Sequence, residues 1–418
     1  MRILHVNKFL YRRGGAEGYM LDLARLQRAA GHEVELFGMH HPDNPPDLPL
    51  RRTFAPHVEL EPPPRGLAGL GAAARMVWSP SSARGMQWAL EAFRPDVVHC
   101  HNIYHQLSPA ILAPVRRAGV RCVMTLHDYK LACPSYQMLD HGRLCDACVE
   151  GSALQALRHR CKGGSLGASA VLALESSLHR LTGAYDAVDV FISPSRFLAD
   201  VMLRAGVPQD RLRVVNHFVE PGEPVAAADA RSSVVVAGRL SHEKGVDTLV
   251  RSLALTRSDV HLDVAGDGPL RGELESLAAV VAPGRVTFHG RLDKDALTTL
   301  VASSLATVVP SRWHENQPMT ILESYAVGVP AVVTGLGGMP ELVRDGQDGL
   351  VVPAEEPAAL ARALDRLVRD PRQARRMGES GRQRLSRDFD PALHLRRVAA
   401  AYRGEPADVD ELAVSARG

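Results

Sequence analysis

The chain has 418 residues, which is enough for two domains that each bury a hydrophobic core. Hydrophobic residues make up 45% and charged residues 23%, as in ordinary soluble globular proteins, and a formal net charge of +2 gives no strong field that would select nucleic acid as a partner. The sequence has no charged-then-apolar leader and no run of eighteen apolar residues. We therefore expect a cytoplasmic protein, with peripheral contact at the inner face of the membrane left open. The preference for arginine and alanine suggests a GC-rich bacterial source.

Short apolar runs alternate with helix-length patterns along the whole chain. Runs that are apolar on both faces and separated by helices indicate parallel sheets covered on both sides. Six runs in each half predict an α/β protein with two doubly wound, Rossmann-like domains. The predicted strands are 3–6, 34–37, 97–100, 120–126, 190–192 and 212–215, followed by 234–237, 260–265, 286–288, 306–309, 331–333 and 350–352.

Changes in composition divide these elements into segments. We predict a first domain over 1–218, a Pro-, Gly- and Ala-rich linker over 219–230, and a second domain over 231–388. The last helix is predicted over 389–404. A polar insertion with several cysteines, 133–161, interrupts the first domain.

Ligands of open parallel sheets bind at the carboxyl ends of strands, so the residues after each run are the candidates for function. Gly15 lies in a glycine loop after the first run, where a ligand can approach the backbone without meeting a Cβ atom. The alternative is a mobile loop without a ligand. We expect His99 and His101 to face opposite ways along the third strand, which argues against both binding one metal ion. His127 follows the fourth strand and either hydrogen-bonds a substrate or caps the strand.

Four cysteines lie within the insertion, at Cys133, Cys145, Cys148 and Cys161. One Cys-x2-Cys pair with two outer partners suits a tetrahedral structural zinc ion. Reduced free thiols are the alternative, because disulfides are disfavoured in the cytoplasm.

The first strand of the second domain ends in Gly238 and Arg239, and Lys244 follows just before a predicted helix. Two cations on one loop suit a diphosphate, because arginine binds it through two donors and lysine acts as a point charge. The alternative is a pair of solvated surface cations. Gly266 and Gly268 follow the next strand.

Two glutamates bracket the start of a helix predicted over 320–327. Glu315 lies in the loop before this helix, and Glu323 lies on the helix about two turns further on. A helix N-terminus carries unpaired N–H groups and a positive dipole end, which suit phosphate. Two surface glutamates are the alternative explanation.

These motifs, in this order and across both halves, resemble the retaining glycosyltransferases of family 4, also described as glycosyl transferases group 1. The carrying motifs are Gly-Arg-x4-Lys-Gly at Gly238, Gly-Asp-Gly-Pro at Gly266, Glu-x7-Glu at Glu315 and the His-Asp pair at His127. The resemblance implies two Rossmann-like domains that face a central cleft (the GT-B fold), with a C-terminal helix crossing back to the first domain.

The resemblance also implies roles for these residues. Arg239 and Lys244 would grip the diphosphate of a nucleotide sugar, Glu323 the ribose, and Glu315 and His127 the sugar. The donor would also contact a set of loop residues, namely Gly15, Gly238, Gly266, Gly268, Arg291, Asn316, Gln317, Pro318, Met319 and Thr320. The family's usual Gly-Phe-Gly-Leu is replaced by Asn316 to Met319, so Pro318 removes one backbone donor from the sugar site.

From the resemblance we expect same-face attack assisted by the leaving phosphate, without a catalytic metal. The favoured donor is a UDP-sugar. The favoured acceptor is a saccharide or lipid-linked saccharide of polysaccharide biosynthesis, with a small natural product such as an aminocyclitol as the alternative. A nucleotide-sugar epimerase, or a silent nucleotide-sugar-binding protein, is the second alternative.

Overall fold

The computed structural model describes residues 1–59, 66–222 and 233–405, with the side chains of 67, 68 and 70 left undescribed. The predicted linker 219–230 therefore lies mostly outside the described residues. The chain divides into two compact units. Unit 1 comprises Met1–His141, Cys145–Asn216 and His394–Gly418, and unit 2 comprises Gly142–Leu144 and His217–Leu393.

Unit 1 is built on a six-stranded parallel sheet, which confirms the predicted fold class for the first half. The strand order is β2-β1-β3-β4-β7-β8. The strands are β1 (Arg2–Val6), β2 (Glu33–Phe37), β3 (Val97–Cys100), β4 (Arg121–Thr125), β7 (Val190–Ser193) and β8 (Leu212–Val214). Two very short strands in the insertion, β5 (Leu139–Asp140) and β6 (Arg143–Leu144), were not predicted, because two polar residues show no alternation.

Helices cover both faces of this sheet. They are α1 (Gly15–Ala29), α2 (Gly66–Val77), α3 (Pro80–Phe93), α4 (Leu112–Arg117), α5 (Ala147–Glu150), α6 (Gln155–Arg158), α7 (Leu166–Leu181) and α8 (Arg196–Arg204), with single 3-10 turns at Arg51–Thr53, Pro109–Ile111 and Gln209–Arg211. The Ser195 side chain accepts a hydrogen bond from the Leu198 N–H at 3.2 Å, so it caps α8 as its residue type predicts.

Unit 2 repeats the architecture with a second six-stranded parallel sheet of order β11-β10-β9-β12-β13-β14. Its strands are β9 (Ser233–Ala237), β10 (His261–Ala265), β11 (Val286–Gly290), β12 (Ala306–Val309), β13 (Ala331–Thr334) and β14 (Gly349–Val352). Its helices are α9 (Val246–Leu253), α10 (Arg271–Val281), α11 (Lys294–Ala302), α12 (Met319–Ala326), α13 (Met339–Leu342), α14 (Pro357–Arg369) and α15 (Pro371–Asp388), with a 3-10 turn at His242–Lys244.

The last helix, α16 (Pro391–Arg403), returns to unit 1 from its fourth residue onward. Val398, Ala401 and Tyr402 are buried in the apolar core of that unit. The C-terminal helix therefore crosses back to the first domain, as expected.

Central strands are apolar on both faces because helices cover them, and the residues of β3, β7, β12 and β13 are all buried. Within the described ranges, every helix is too short or too polar to cross a membrane.

Candidate functional site

The loops after β9 and β10 pack against each other through glycines. Gly238 and Gly266 adopt φ angles of 144° and 145°, which side chains rarely tolerate. A Cβ atom on Gly266 would lie 1.9 Å from the Gly238 carbonyl oxygen, and one on Gly268 would lie 2.4 Å from the Leu240 oxygen. These glycines let the two loops meet and leave bare backbone at the carboxyl end of the sheet.

Two cations follow Gly238 in the same loop. The Arg239 side chain is exposed, and no other side chain or backbone group in the described ranges forms a hydrogen bond or ion pair with it. Lys244 ends a 3-10 turn closed by Gly245, whose φ is 64° and whose Cβ atom would lie 2.1 Å from the Pro310 oxygen. Close packing against the end of β12 thus places Lys244 beside the following loop.

Lys244 is paired with the first of the two predicted glutamates. Its Nζ atom lies 2.6 Å from Glu315 Oε1, and the Ser311 hydroxyl donates to the same oxygen at 2.7 Å. Burial raises the pKa of Glu315, but Lys244 and the hydrogen bonds of Trp313 and Ser311 outweigh it and hold that pKa below its usual value. Glu315 is therefore a buried, charged carboxylate.

The glycines after β13 hold the backbone of Glu315. Gly338 N–H donates to the Glu315 carbonyl at 2.7 Å, and a Cβ atom on Gly337, where φ is 62°, would lie 2.3 Å from the same oxygen. The loops after β12 and β13 therefore fix Glu315 at the start of α12, where helix N–H groups and a positive dipole end are available to an anion.

The remaining predicted residues of this loop have different surroundings. Gln317 is buried, and its side-chain amide accepts from the His217 N–H at 2.8 Å and donates to the His217 oxygen at 3.3 Å. Its amide group therefore ties down the chain at the start of unit 2. Pro318 caps α12 without a side-chain hydrogen bond. Asn316, Met319, Thr320 and Glu323 are half-buried, and Arg291 is exposed after β11.

Sequence reasoning missed Ser311 and Arg312. Arg312 is 8% exposed and donates to Asp247 at 2.6 Å and to Thr248 at 3.0 Å, which ties the loop to the first turn of α9. Their position directly after a buried strand is the signal that could have found them.

In unit 1, His127 follows β4 by two residues and lies beside a small cavity lined by polar and apolar side chains. Asn102, Asp128 and Lys130 line it together with His101 and His127. His127 Nε2 lies 3.1 Å from His101 Nδ1, and burial lowers the pKa of His127 to about 3, so its ring is neutral.

The expectation that His99 and His101 face opposite ways is wrong. Side chains two residues apart on a strand point to the same face, and the two rings stack with centroids 4.4 Å apart. His5, directly opposite His99 on the paired strand, joins them. Within the described parts of the chain, these three histidines form the one group of three or more metal-ligand side chains with donor atoms all within 4.8 Å of one another.

Gly15 is the first residue of α1, directly after Gly14. No side chain caps this helix, and Glu17 of its first turn is buried and accepts from Asn7 Nδ2 at 3.4 Å. Gly15 therefore opens a helix at the carboxyl end of β1.

The four cysteines are reduced, with Cys133 and Cys148 buried and Cys145 and Cys161 half-buried. Burial, reinforced by the neighbouring sulfurs, raises the pKa of Cys148 to about 12. Thiolate ligands suit zinc, yet three of the sulfurs do not come within 4.8 Å of one another among the described residues. The zinc site stays a prediction.

Two family models match successive halves of the chain. The model of Glycosyltransferase Family 4 matches residues 13–223, about half of the chain, and that of Glycosyl transferases group 1 matches residues 224–384.

Curated relatives match over shorter or longer stretches. A glycogen synthase of Mycobacterium tuberculosis is 30% identical over 327 residues, 75% of this chain and 71% of its own length. An alpha-D-kanosaminyltransferase of Streptomyces kanamyceticus is 32% identical over 179 residues, 42% of this chain and 46% of its own length. An uncharacterized glycosyltransferase of Methanocaldococcus jannaschii is 26% identical over 44% of this chain and 52% of its own length. The chain thus spans about half the length of the last two relatives.

Solved structures share the fold at low sequence identity. Sucrose-phosphate synthase of Thermosynechococcus elongatus superposes with a TM-score of 0.69 at 21% identity, covering 96% of this chain and 98% of that one. Anabaena HepE, solved with UDP and glucose, superposes with a TM-score of 0.68 at 18% identity, covering 96% and 99%.

Proposed function

Because the chain belongs to glycosyltransferase family 4, we propose that it is a retaining glycosyltransferase that moves a sugar from a nucleotide-diphosphate donor to a saccharide or lipid-linked saccharide. The observation that carries the proposal is the arrangement in unit 2. An exposed Arg239, a Lys244 paired with buried Glu315, and bare glycine backbone at Gly238 lie on loops at the carboxyl end of one sheet.

In this proposal Arg239 and Lys244 hold the diphosphate and stabilise the charge that develops on it as the sugar leaves. Such an electrostatic role requires cations that are in place before the reaction. The N-terminus of α12 adds backbone donors, Glu323 binds the ribose, and Gly266, Gly268 and Arg291 lie along the nucleotide. A UDP-sugar is the favoured donor.

The reaction proposed is same-face substitution, with the leaving phosphate accepting the proton of the attacking hydroxyl. The segment from Gly238 to Lys244 after β9 is the donor loop. Its two cations then supply the charge stabilisation that a metal ion supplies in other transferases. Glu315 and His127 orient the sugar by hydrogen bonds to its hydroxyl groups.

Exposed apolar side chains in unit 1 favour a lipid-linked acceptor. Trp78 is 46% exposed, and Leu174 and Leu181 of α7 are 56% and 84% exposed. The two regions adjoin, because His179 Nε2 of α7 lies 2.7 Å from the Val77 carbonyl. Aromatic and aliphatic side chains on one surface suit the interface of a bilayer.

We expect the protein to bind anionic vesicles. The double variant with Trp78→Ala and Leu181→Ala is expected to lose this binding.

A small natural-product acceptor, such as an aminocyclitol, is the second candidate. One relative is named for the transfer of a kanosaminyl group, an amino sugar, and this is the observation that favours the second candidate. An acceptor assay with aminocyclitols and with lipid-linked saccharides separates the two candidates.

Cys133, Cys145, Cys148 and Cys161 are proposed to hold a structural zinc ion, whose binding would draw their sulfurs together. One equivalent of zinc in the purified protein, lost in Cys148→Ser but kept in Cys122→Ser, is the expected result. If the purified protein contains no zinc and unit 1 is folded, the four cysteines are reduced thiols and the zinc proposal is wrong.

The function is tested by incubating the purified chain with UDP-, GDP- and dTDP-sugars, first without and then with acceptor extracts. We expect little release of nucleotide alone and acceptor-dependent release with one donor, and the anomeric proton signal of the product keeps the donor's configuration. Conversion of the donor into an isomer without acceptor would favour an epimerase. Binding of a donor with no turnover under any condition would favour a silent binding protein.

A further inference from the structure

A continuous chain of hydrogen bonds runs through the core of unit 1, from His127 to the crossing helix α16. Its interior members are each at most 3% exposed, and every one of them is polar. The members are His127, His101, His5, Gln27, Tyr402, His99, Thr125, Tyr19 and His394. So many buried polar groups are costly unless all of them are paired, and the pairing restricts where each proton resides.

One end of the chain has a fixed direction. His394 Nδ1 lies 2.8 Å from the backbone oxygen of Asn216, and a carbonyl oxygen only accepts. Nδ1 of His394 therefore carries the hydrogen. Burial lowers the pKa of His394 to about 4, so its ring is neutral and Nε2 is an acceptor. The Tyr19 hydroxyl, 3.0 Å away, must donate to it.

The direction is carried through two hydroxyls to His99. With its own hydrogen given to His394, Tyr19 accepts from the Thr125 hydroxyl. Thr125 Oγ1 then accepts from His99 Nε2–H at 2.7 Å. The pKa of His99 is also lowered, first by burial, so its Nδ1 is an acceptor for the Tyr402 hydroxyl at 2.7 Å.

The second half of the chain follows from Tyr402. Its oxygen accepts from Gln27 Nε2 at 2.9 Å, which leaves Gln27 Oε1 to accept from His5 Nε2–H at 2.7 Å. Burial lowers the pKa of His5 to about 4, so His5 Nδ1 accepts from His101 Nε2–H at 3.0 Å. His101 Nδ1 in turn accepts from His127 Nε2–H at 3.1 Å.

The opposite direction is not available. A rotated Gln27 amide would reverse its own two hydrogen bonds and all those beyond them. His394 would then have to donate from Nε2 to Tyr19 and from Nδ1 to Asn216, which requires a buried imidazolium cation. Burial disfavours that charge, so the Asn216 carbonyl selects one direction for the whole chain.

We propose that this hydrogen-bond chain holds His127 as the Nε2–H tautomer and fixes its ring beside the cavity that Asn102, Asp128 and Lys130 help to line. This assignment rests on the proposed function, in which His127 contacts a sugar. His101, His5, Gln27 and Tyr402 act as positioning residues, because they touch His127 or one another and set its proton. The crossing helix thereby contributes to substrate recognition through Tyr402.

The same rings are the metal-ligand group of three histidines, and the hydrogen bonds argue against a metal ion there. Both ring nitrogens of His5 and both of His99 already have partners at 2.7–3.0 Å. A bound metal ion would have to break several of these buried bonds.

The direct test is the tautomeric state of the histidines in the full-length protein, measured by long-range proton–nitrogen NMR with 15N-labelled histidine near neutral pH. Single histidine substitutions assign the signals of the chain among the 18 histidines. We expect His5, His99, His101 and His127 as Nε2–H tautomers and His394 as the Nδ1–H tautomer. An Nδ1–H tautomer of His127, a doubly protonated His101, or metal-bound nitrogen signals from His5 would each overturn the proposal.

Tyr402→Phe tests the coupling with little change in shape. Gln27 loses its acceptor and can rotate, so His127 is expected to show both tautomers, and KM for the sugar donor rises by up to about tenfold while the fold is retained. Gln27→Leu removes the amide that links His5 to Tyr402 and is expected to give both tautomers of His127 as well. Gln87→Leu on the exposed face of α3 is its control and leaves the His127 signals unchanged. An unaltered His127 tautomer in folded Tyr402→Phe would show that the chain does not set it.

The two proposals fail separately. The NMR measurement needs no donor and no acceptor, so it decides the tautomer even if no glycosyl transfer is ever found. The wild-type spectrum also remains decisive where a variant does not fold.

Discussion

The carboxyl ends of the two sheets use polar groups in opposite ways. In unit 1 the histidines near β1, β3 and β4 are hydrogen-bonded to one another, and burial lowers the pKa of His5, His99 and His127. In unit 2 the loops after β9 and β10 carry glycine backbone and an exposed cation, Arg239. Two six-stranded parallel sheets with different strand orders therefore carry buried, hydrogen-bonded polar groups in one unit and an exposed cation in the other.

The difference follows from where the polar side chains lie. Histidines on the strands themselves are covered by helices, so burial lowers their pKa and each nitrogen needs a partner. Arg239 and Lys244 lie beyond the strand end, where water and a ligand reach them.

Removing a cation from the donor loop should have the largest effect. Lys244→Ala is expected to lower kcat/KM by about 10²–10³-fold, because a positioned charge that stabilises the leaving diphosphate is lost. The measurement is steady-state turnover with the best donor, with thermal unfolding as the check of folding. Lys294→Ala, an exposed lysine on α11, is the matched control and should leave kcat/KM unchanged. Similar losses in both variants would contradict a specific role for Lys244.

A methyl group in the glycine loops after β9 and β10 should lower both the stability of unit 2 and its affinity for the donor. Gly266→Ala places Cβ 1.9 Å from the Gly238 oxygen at a φ of 145°, so we expect unit 2 to lose about 1–3 kcal/mol in its free energy of unfolding. Gly272→Ala in α10 meets no atom within 4 Å and should be neutral or stabilising by up to about 1 kcal/mol. Denaturant unfolding distinguishes them, and equal stability of the two variants would refute the close packing of the loops.

Acid should destabilise unit 1. The pKa of His5 and of His394 is lowered to about 4, and that of His127 to about 3, by burial, while each lies at about 6.5 when unfolded. As the pH falls, the unfolded chain therefore binds protons at these histidines before the folded chain does. Above pH 6.5 these histidines do not reduce the free energy of unfolding. As the pH falls from 6.5 towards about 4, the free energy of unfolding decreases by up to about 1.4 kcal/mol per pH unit for each histidine.

This acid effect can be followed in unit 1 alone. Trp313→Phe removes the tryptophan of unit 2 and leaves Trp78 and Trp88 as reporters of unit 1. Urea unfolding in this background should shift to lower urea as the pH falls below 6.5. A flat dependence between pH 7 and pH 5 would show that the histidines are not held neutral by the fold.

Neutralising Glu315 should have the smallest effect on binding. Glu315→Gln removes the carboxylate 2.6 Å from Lys244, so the free cation is expected to bind UDP about as tightly as the wild type or up to about threefold more tightly. Turnover should fall, because Glu315 also orients the sugar. Calorimetric titration with UDP measures the first effect, and a large loss of UDP affinity would show that Glu315 supports the diphosphate site itself.

The sheets could be predicted from sequence and the side-chain networks could not. All twelve strands of the two sheets lie where apolar runs predicted them. The pattern is clearest in central strands such as β12 and β13, which are buried on both faces and therefore need apolar residues throughout. The short strands β5 and β6 carry no such pattern. The opposed orientation of His99 and His101 was a wrong reading of strand geometry, which places alternate residues on one face.

Long-range partners could not be predicted from the sequence. The side-chain amide of Gln317, whose contact with the donor stays a prediction, pairs with the backbone of His217, one hundred residues away along the chain. The pairing of Lys244 with Glu315 likewise joins two motifs that the sequence places far apart. Such contacts depend on how strands are ordered in the sheet, which local patterns do not encode.

The measurement that tests the donor site most directly is calorimetric binding of UDP, UMP and uridine to the wild-type chain at two salt concentrations. Cations that grip a diphosphate predict tighter binding of UDP than of UMP, very weak binding of uridine, and a loss of UDP affinity at high salt. Equal affinity for UDP and uridine, or no binding of any nucleotide, would contradict a diphosphate site at Arg239 and Lys244.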